Sequence, residues 1–126
     1  MKRLTRQWVE KAEGDFGTAQ RELRARKSPN HAAACFHAQQ CIEKYLKARM
    51  QEAELPFART HDLPHLLDNL KQIEPLWEAF RPGLVWLTVL AVQYRYPGRN
   101  ADREMAKKAV RICREIREII RGSLGR

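Results

Sequence analysis

No stretch of this 126-residue chain is apolar for long enough to cross a bilayer. The longest run, residues 84–92, covers nine positions and already contains Thr88, against the ~20 that a spanning helix needs. No membrane segment is therefore expected. Residues 1–11 are charged and hold no apolar h-region, so no secretory signal is expected either, and the expected compartment is the cytoplasm. Cysteine is scarce. Cys35, Cys41 and Cys113 are an odd number in a chain without such a signal, which argues against a disulfide framework and for free buried thiols. Six glycines and six prolines are too few for a low-complexity or disordered chain, and 44% apolar residues are enough for a core. The length suits one domain spanning residues 1–126.

The common catalytic signatures are also missing. There is no glycine-rich phosphate loop, nucleophile elbow, paired CxxC or HExxH, which removes most enzyme classes and their cofactors. His31 with Cys35, and His37 with Cys41, each sit four apart. On one helix the two pairs would point about 240° apart around the axis, so they cannot close a single tetrahedral site, and no metal is expected. His61 and His65 are also four apart but Pro64 lies between them, which suits a capping or surface role.

What the chain has in excess is positive charge, 24 Lys and Arg against 15 Asp and Glu, a net +9. The excess is at the ends. Residues 1–27 and 100–126 each hold eight cations and four anions, whereas the middle is close to balanced. Such a surface attracts polyanions, with RNA, DNA, nucleotides and acidic proteins all eligible, although an Arg-rich solvated helix surface gives the same count.

Apolar spacing is helical throughout. Leu4, Trp8, Ala12, Phe16, Ala19 and Leu23 trace one stripe on a first helix expected over residues 5–26. Ser28 followed by Pro29 reads as an N-cap and first helical residue, opening a second helix that runs to about residue 54. Thr60 reads as the cap of a short third helix carrying Leu63, Leu66, Leu67, Leu70 and Ile73. Pro75 restarts the chain, Pro82 and Gly83 interrupt it, and residues 84–94 are apolar nearly all round, as expected of the most buried helix. Asn100 or Asp102 can cap the last helix, whose stripe is Ala106, Ala109, Val110, Cys113, Ile116, Ile120 and Leu124. The expected fold is all-α, an up-and-down four-helix bundle with an additional short helix, with surface left over for a homodimer.

Three groups of residues could carry chemistry. Asp15, flanked by Gly14 and Gly17 at the edge of the first stripe, requires a cationic or hydrogen-bonding partner and reads as an interhelical clamp or as a site anchor. Gln39, Gln40, Glu43, Lys44 and Lys47 put polar groups on successive turns of the second helix, with Glu43 and Lys47 spaced for an i, i+4 pair on a solvated face. The segment Tyr94-Arg95-Tyr96-Pro97-Gly98-Arg99 closes the most apolar helix. An Arg there, between tyrosines, suits either a structural salt bridge or an anion site, and aromatic neighbours add a stacking surface for bases.

In this arrangement the chain resembles the HEPN domain family, small helical proteins often found beside minimal nucleotidyltransferases. The matching pieces are Trp8, Ala12 and Asp15; the run Phe36-His37-Ala38-Gln39-Gln40-Cys41-Ile42-Glu43-Lys44-Tyr45-Leu46-Lys47-Ala48; Thr60-His61-Asp62-Leu63; and Arg95-Tyr96-Pro97, in this order across nearly the whole chain. The resemblance implies a dimerising four-helix bundle that binds nucleotide or RNA or partners a nucleotidyltransferase in toxin–antitoxin pairs. Many relatives are metal-independent ribonucleases with an Arg, a polar residue directly after it, and a His four to six residues further on. Here that Arg is Arg95, Tyr96 follows it, and Asn100, Ala101 and Asp102 fill the histidine positions. A second Arg-x4-His match, Arg26 to His31, crosses the junction between the first two helices and reads as chance.

RNA cleavage of this kind needs a group to move a proton off the ribose 2′-hydroxyl. The resemblance and this departure together imply a non-catalytic binding protein, with a ribonuclease toxin as the alternative. Arg95 is the expected anion ligand, with Tyr96 stacking or shaping the pocket and Lys44 and Lys47 adding positive potential. His61 and Asp62 are expected to position the neighbouring loop, and Asp15 and Arg99 complete the expected nucleotide- or anion-binding set.

Overall fold

A helix starts where a side chain can take over amide hydrogens that the first turn leaves unbonded. Asn30 accepts from the Ala33 N–H at 2.9 Å, Asp62 from the His65 N–H at 3.3 Å and Asp102 from the Met105 N–H at 2.8 Å. The computed structural model describes residues 1–94 and 96–126. Its helices are α1 (Arg3–Arg24), α2 (His31–Glu52), α3 (Leu63–Leu70), α4 (Arg81–Gln93) and α5 (Arg103–Ser123), with a 3-10 helix over Pro75–Phe80 and no strand among the described residues.

Two caps differ from expectation. Ser28 has φ +48°, a left-handed conformation unlike the extended one a cap adopts, so the cap falls two residues later on Asn30 and Pro29 lies outside the helix. Thr60 uses its hydroxyl to accept the Asp62 N–H at 3.1 Å, leaving Asp62 as the α3 cap. Nor do Pro82 and Gly83 interrupt α4. They form its first turn, where proline's missing N–H costs nothing, and a Cβ on Gly83 would stand 3.1 Å from Ile112 Cγ2, so glycine permits the close approach of α4 to α5.

Pairings across helices fix the directions. Lys2 meets Glu52 and Glu54, and Asp15 meets His37 and Lys44, so α1 and α2 are antiparallel. Tyr45 with Arg121 and Arg49 with Ser123 make α2 and α5 parallel, while Lys108 over Trp86 and Tyr94 on Met105 make α4 antiparallel to α5. This is the expected up-and-down bundle with a short extra helix.

The core centres on α2, which contacts each of the other α-helices. Twelve of its residues are buried, including Ile42, Leu46 and Met50. The α5 stripe from Ala106 to Ile120 is buried as read from the sequence. On α1 the buried line runs through Thr5, Val9, Ala12, Phe16 and Ala19, one residue round from the expected start, and Leu4 is 54% exposed. The largest departure is α4. It is not the most buried helix: only Leu84, Leu87, Leu90 and Ala91 are inside, and Val85, Val89 and Val92 face outward.

A charged clamp holds α5 against α1. Arg117 donates from Nε and Nη2 to the two Glu13 oxygens at 2.7 and 2.6 Å, Tyr45 also donates to Glu13, and the Arg117 guanidinium lies 4.3 Å from the centre of the Phe16 ring. The Arg117 hydrogen bonds hold the Glu13 carboxyl below its ordinary value of 4.5, burial opposing them in part. Burial, and donation to Glu13, push the Tyr45 hydroxyl up.

Leu46→Ala should lower the unfolding free energy by about 2–5 kcal/mol, as for other buried leucines, and Leu4→Ala by about 0.5 kcal/mol or less, read from urea midpoints at constant slope. A large loss for Leu4 would place the α1 face wrongly. For Glu13 the folded value lies below the unfolded one, so the clamp contributes fully above pH 4.5 and is lost as pH falls through the lowered value. Glu13→Gln should therefore lower the melting temperature at neutral pH and reduce its fall on acidification, measured by circular dichroism.

Candidate functional site

Helix α2 carries polar side chains on turns that the fold buries, and they are answered partly from other elements and partly from α2 itself. Asp15, at the inner edge of α1, receives the Lys44 ammonium on Oδ2 and the His37 Nδ1 on Oδ1 at 2.7 Å. Its expected partners are thus supplied by α2, and it clamps the two helices. Between His37 and Lys44 on α2, Glu43 is almost fully buried. Lys47 Nζ stands 3.0 Å from its Oε2 and His61 Nδ1 2.7 Å from its Oε1. Gln39 Nε2 donates to the His61 carbonyl at 3.0 Å, and Gln40 Nε2 donates to Gln39 Oε1 at 2.8 Å.

This is not the solvated face that the spacing suggested. Gln39, Glu43 and Lys47 are all buried, and no buried side-chain nitrogen or oxygen among the described residues lacks a hydrogen-bond partner. The physical reason lies outside α2: the segment before α3 folds over it, so that the His61 carbonyl and imidazole replace water around Gln39 and Glu43. His61 and Asp62 consequently do two different jobs. His61 ties the loop to Glu43, while Asp62 caps α3.

The other end of the expected set lies on α4 and the turn after it. Tyr94 donates its hydroxyl to Met105 Sδ at 2.7 Å, and burial raises its pKa. Gly98, at φ +83°, takes the left-handed conformation that closes the turn. Tyr96 is 65% exposed, and together with Pro97, Arg99, Thr88, Val89 and Val92 it lines an open cavity of about 590 Å³. Arg95 lies outside the described residues. Among the described residues no hydrogen bond or ion pair joins Tyr96 or Arg99 to Lys44, Lys47, His61, Asp62 or Asp15, so the expected set divides into an α1–α2–α3 seam and an α4 rim.

The thiols are buried. Burial lifts Cys35 to about 11, with Asp102 adding to the rise, and lifts Cys41, which faces Cys113, well above the usual range. Neither is a ready nucleophile at neutral pH. Among the described residues no group of three or more His, Cys, Asp or Glu side chains is placed to hold a metal ion, and no helix is long and apolar enough to cross a membrane.

Sequence reasoning missed the Glu13–Tyr45–Arg117–Arg121 clamp, whose members come from three helices. The one local signal was Glu13 itself, a carboxylate next to the buried Ala12.

Against known proteins, the HEPN domain family matches residues 5–123. No curated protein matches the chain. By structure it resembles TT1696 from Thermus thermophilus, with a TM-score of 0.80 and 23% identity over 94% of this chain and 96% of that one. It also resembles ST0689, an archaeal HEPN homologue, with a TM-score of 0.70 and 25% identity over 98% of each chain. The match to nearly all of the sequence, on a bundle of the same architecture, places the chain in the HEPN domain family.

Proposed function

We propose that this protein is a nucleotide- or RNA-binding HEPN domain that catalyses no reaction itself and acts as the homodimeric partner of a minimal nucleotidyltransferase, in the manner of a toxin–antitoxin pair. The carrying observation is the outer face of α4. Val85, Val89 and Val92 stand in a row at 45%, 58% and 50% exposure, and the row runs into Tyr96 and Arg99 at the rim of the adjoining cavity. A row of exposed valines on one helix marks an interaction surface. A two-fold contact through it is self-complementary, so each copy offers the same valines to the other. It would also align two copies of Tyr96 and Arg99 along one groove, where a guanidinium can hold phosphate and a ring can stack on a base.

The non-catalytic part of the reading rests on where the imidazoles and carboxylates are committed. His37 is bound to Asp15 and His61 to Glu43. Of the residues in the histidine positions of the ribonuclease pattern, Asp102 caps α5 through its carboxylate, and Asn100 and Ala101 offer no proton-transferring group. Lys44 and Lys47 are likewise engaged by Asp15 and Glu43, so the phosphate-binding role falls to Arg95, on the resemblance, and to Arg99, which lines one cavity with Tyr96.

Labelled single-stranded RNA incubated in EDTA with the protein should stay intact and shift on a gel. Arg95→Ala and Arg99→Ala should each weaken the shift about tenfold and reduce its salt dependence. Cut RNA that stays intact with Arg95→Ala would instead identify a metal-independent ribonuclease, and absence of any shift would remove RNA as the ligand. Val89→Glu should convert the dimer to a monomer in sedimentation velocity without loss of helicity. A variant that still sediments as a dimer would move the interface elsewhere.

A further inference from the structure

The end of α1, the α1–α2 loop and the start of α5 meet around a second cavity, of about 620 Å³, that shares no lining residue with the Tyr96 rim. Arg24, Arg26, His31 and Arg103 line it, and no carboxylate does. We propose that this cavity binds a phosphate-bearing ligand, held by the guanidinium groups of Arg24, Arg26 and Arg103 and by the imidazole of His31.

Three observations carry the proposal. First, the four basic groups have no carboxylate at ion-pair distance among the described residues, although acids are close by in sequence. Glu22 accepts the Asn30 N–H at 3.1 Å, Asp102 caps α5, and Glu104 faces Lys107 at 3.7 Å. The neighbouring acids are therefore engaged elsewhere. Second, His31 and Arg103 are the first residues of helices of 22 and 21 residues. Unpaired amide hydrogens make those ends electropositive, so basic side chains there are disfavoured; Asp102 and Glu104 offset this at the start of α5, but the first turn of α2 holds no acid to compensate. Only Arg24, at the end of α1, sits where the helix field favours a cation. An incoming anion relieves the repulsion among all four groups. Third, the groups surround a hollow of the size that holds small ligands, rather than being spread on a convex surface. Guanidinium groups suit phosphate there because each offers two parallel N–H donors to two phosphate oxygens.

A smaller cavity of about 380 Å³ adjoins it, sharing Pro29 and His31. Ser28, Asn30 and Asn100 line this extension, giving uncharged polar groups beside the cationic ones. That pairing suits a phosphate ester with a hydroxylated substituent better than a bare inorganic ion. The residues of the Arg26-x4-His31 spacing, which reads as chance along the sequence, thus line one cavity, at either end of the loop between α1 and α2.

The inference does not depend on the α4 reading, and its test separates the two. Inorganic tripolyphosphate titrated calorimetrically into the full chain at low salt should bind. The double variant Arg26→Gln with Arg103→Gln, both exposed positions, should weaken binding tenfold or more with helicity and melting temperature unchanged. Lys107→Gln with Arg111→Gln removes the same charge from α5 cations that already face Glu104 and Glu115, and should change binding less than twofold. A wild-type protein that does not bind tripolyphosphate would overturn the proposal, as would equal losses in the two double variants. A gel-shift arm with single-stranded RNA identifies the phosphate source. A shift weakened in Arg26→Gln with Arg103→Gln assigns the cavity to the nucleic-acid backbone, and an unchanged shift alongside lost tripolyphosphate binding assigns it to a free phosphate ester.

Discussion

Glu43 is the constraint on which the rest of the bundle depends. A carboxylate almost fully out of water is tolerable only if its lone pairs are answered, and here Lys47, His61 and Gln39 answer them. Those partners are not all local. Lys47 is one turn away, but His61 belongs to the segment before α3, so satisfying Glu43 requires that segment to fold over α2. Asp15 does the same for α1 and Glu13 for α5. An apolar bundle can slide or rotate by one turn at modest cost, because leucine against leucine is nearly as good in several registers. Glu13, Asp15 and Glu43 remove that freedom, since each can be satisfied in one register alone.

The same constraint sorts the charges of the protein into two groups. Cations that meet a buried or half-buried interhelical carboxylate, namely Lys44, Lys47 and Arg117, are needed by the fold and present little field to a ligand. The excess over them accounts for the net +9. Arg24, Arg26, Arg99 and Arg103 belong to it, and they border the two cavities rather than the core. A polyanion approaching this molecule is attracted by the surface arginines and not by the α2 lysines, although in sequence the α2 lysines sit among the residues that mark the family.

Local signals in the sequence were read correctly where one helix settles the matter. The α5 stripe and the Asp102 cap need no information from outside residues 102–124. The requirement that Asp15 find a cation was also legible, because a carboxylate beside Phe16 has no other way to be buried. The failures share a cause. Glu43 and Lys47 have the same four-residue spacing whether they lie in water or under a loop, and nothing within α2 records that His61 will cover them. Ser28-Pro29 has the composition of a helix start, yet the left-handed backbone at Ser28 moves the cap to Asn30. Arg26 and His31 are uninformative as a spaced pair until the loop and α5 bring Arg103 beside them.

Helix α4 shows the limit most clearly. A helix apolar on every side has no preferred direction in its own sequence, so the pattern that suggested complete burial is equally compatible with two apolar faces, one inside and one outside. The structure chooses the second. Leu84, Leu87 and Leu90 meet the core, and Val85, Val89 and Val92 do not, because α4 packs at the edge of the bundle while α2 holds its centre. The outward valines, at 45%, 58% and 50% exposure, bury less of themselves in this chain than the inward leucines do. Thr88, the one polar residue in the run, has its hydroxyl donating to the Leu84 carbonyl and accepting the Leu63 N–H. The Thr88 hydroxyl is therefore engaged within the fold, and the valine row presents hydrocarbon outward, leading past Gln93 to Tyr96 and Arg99.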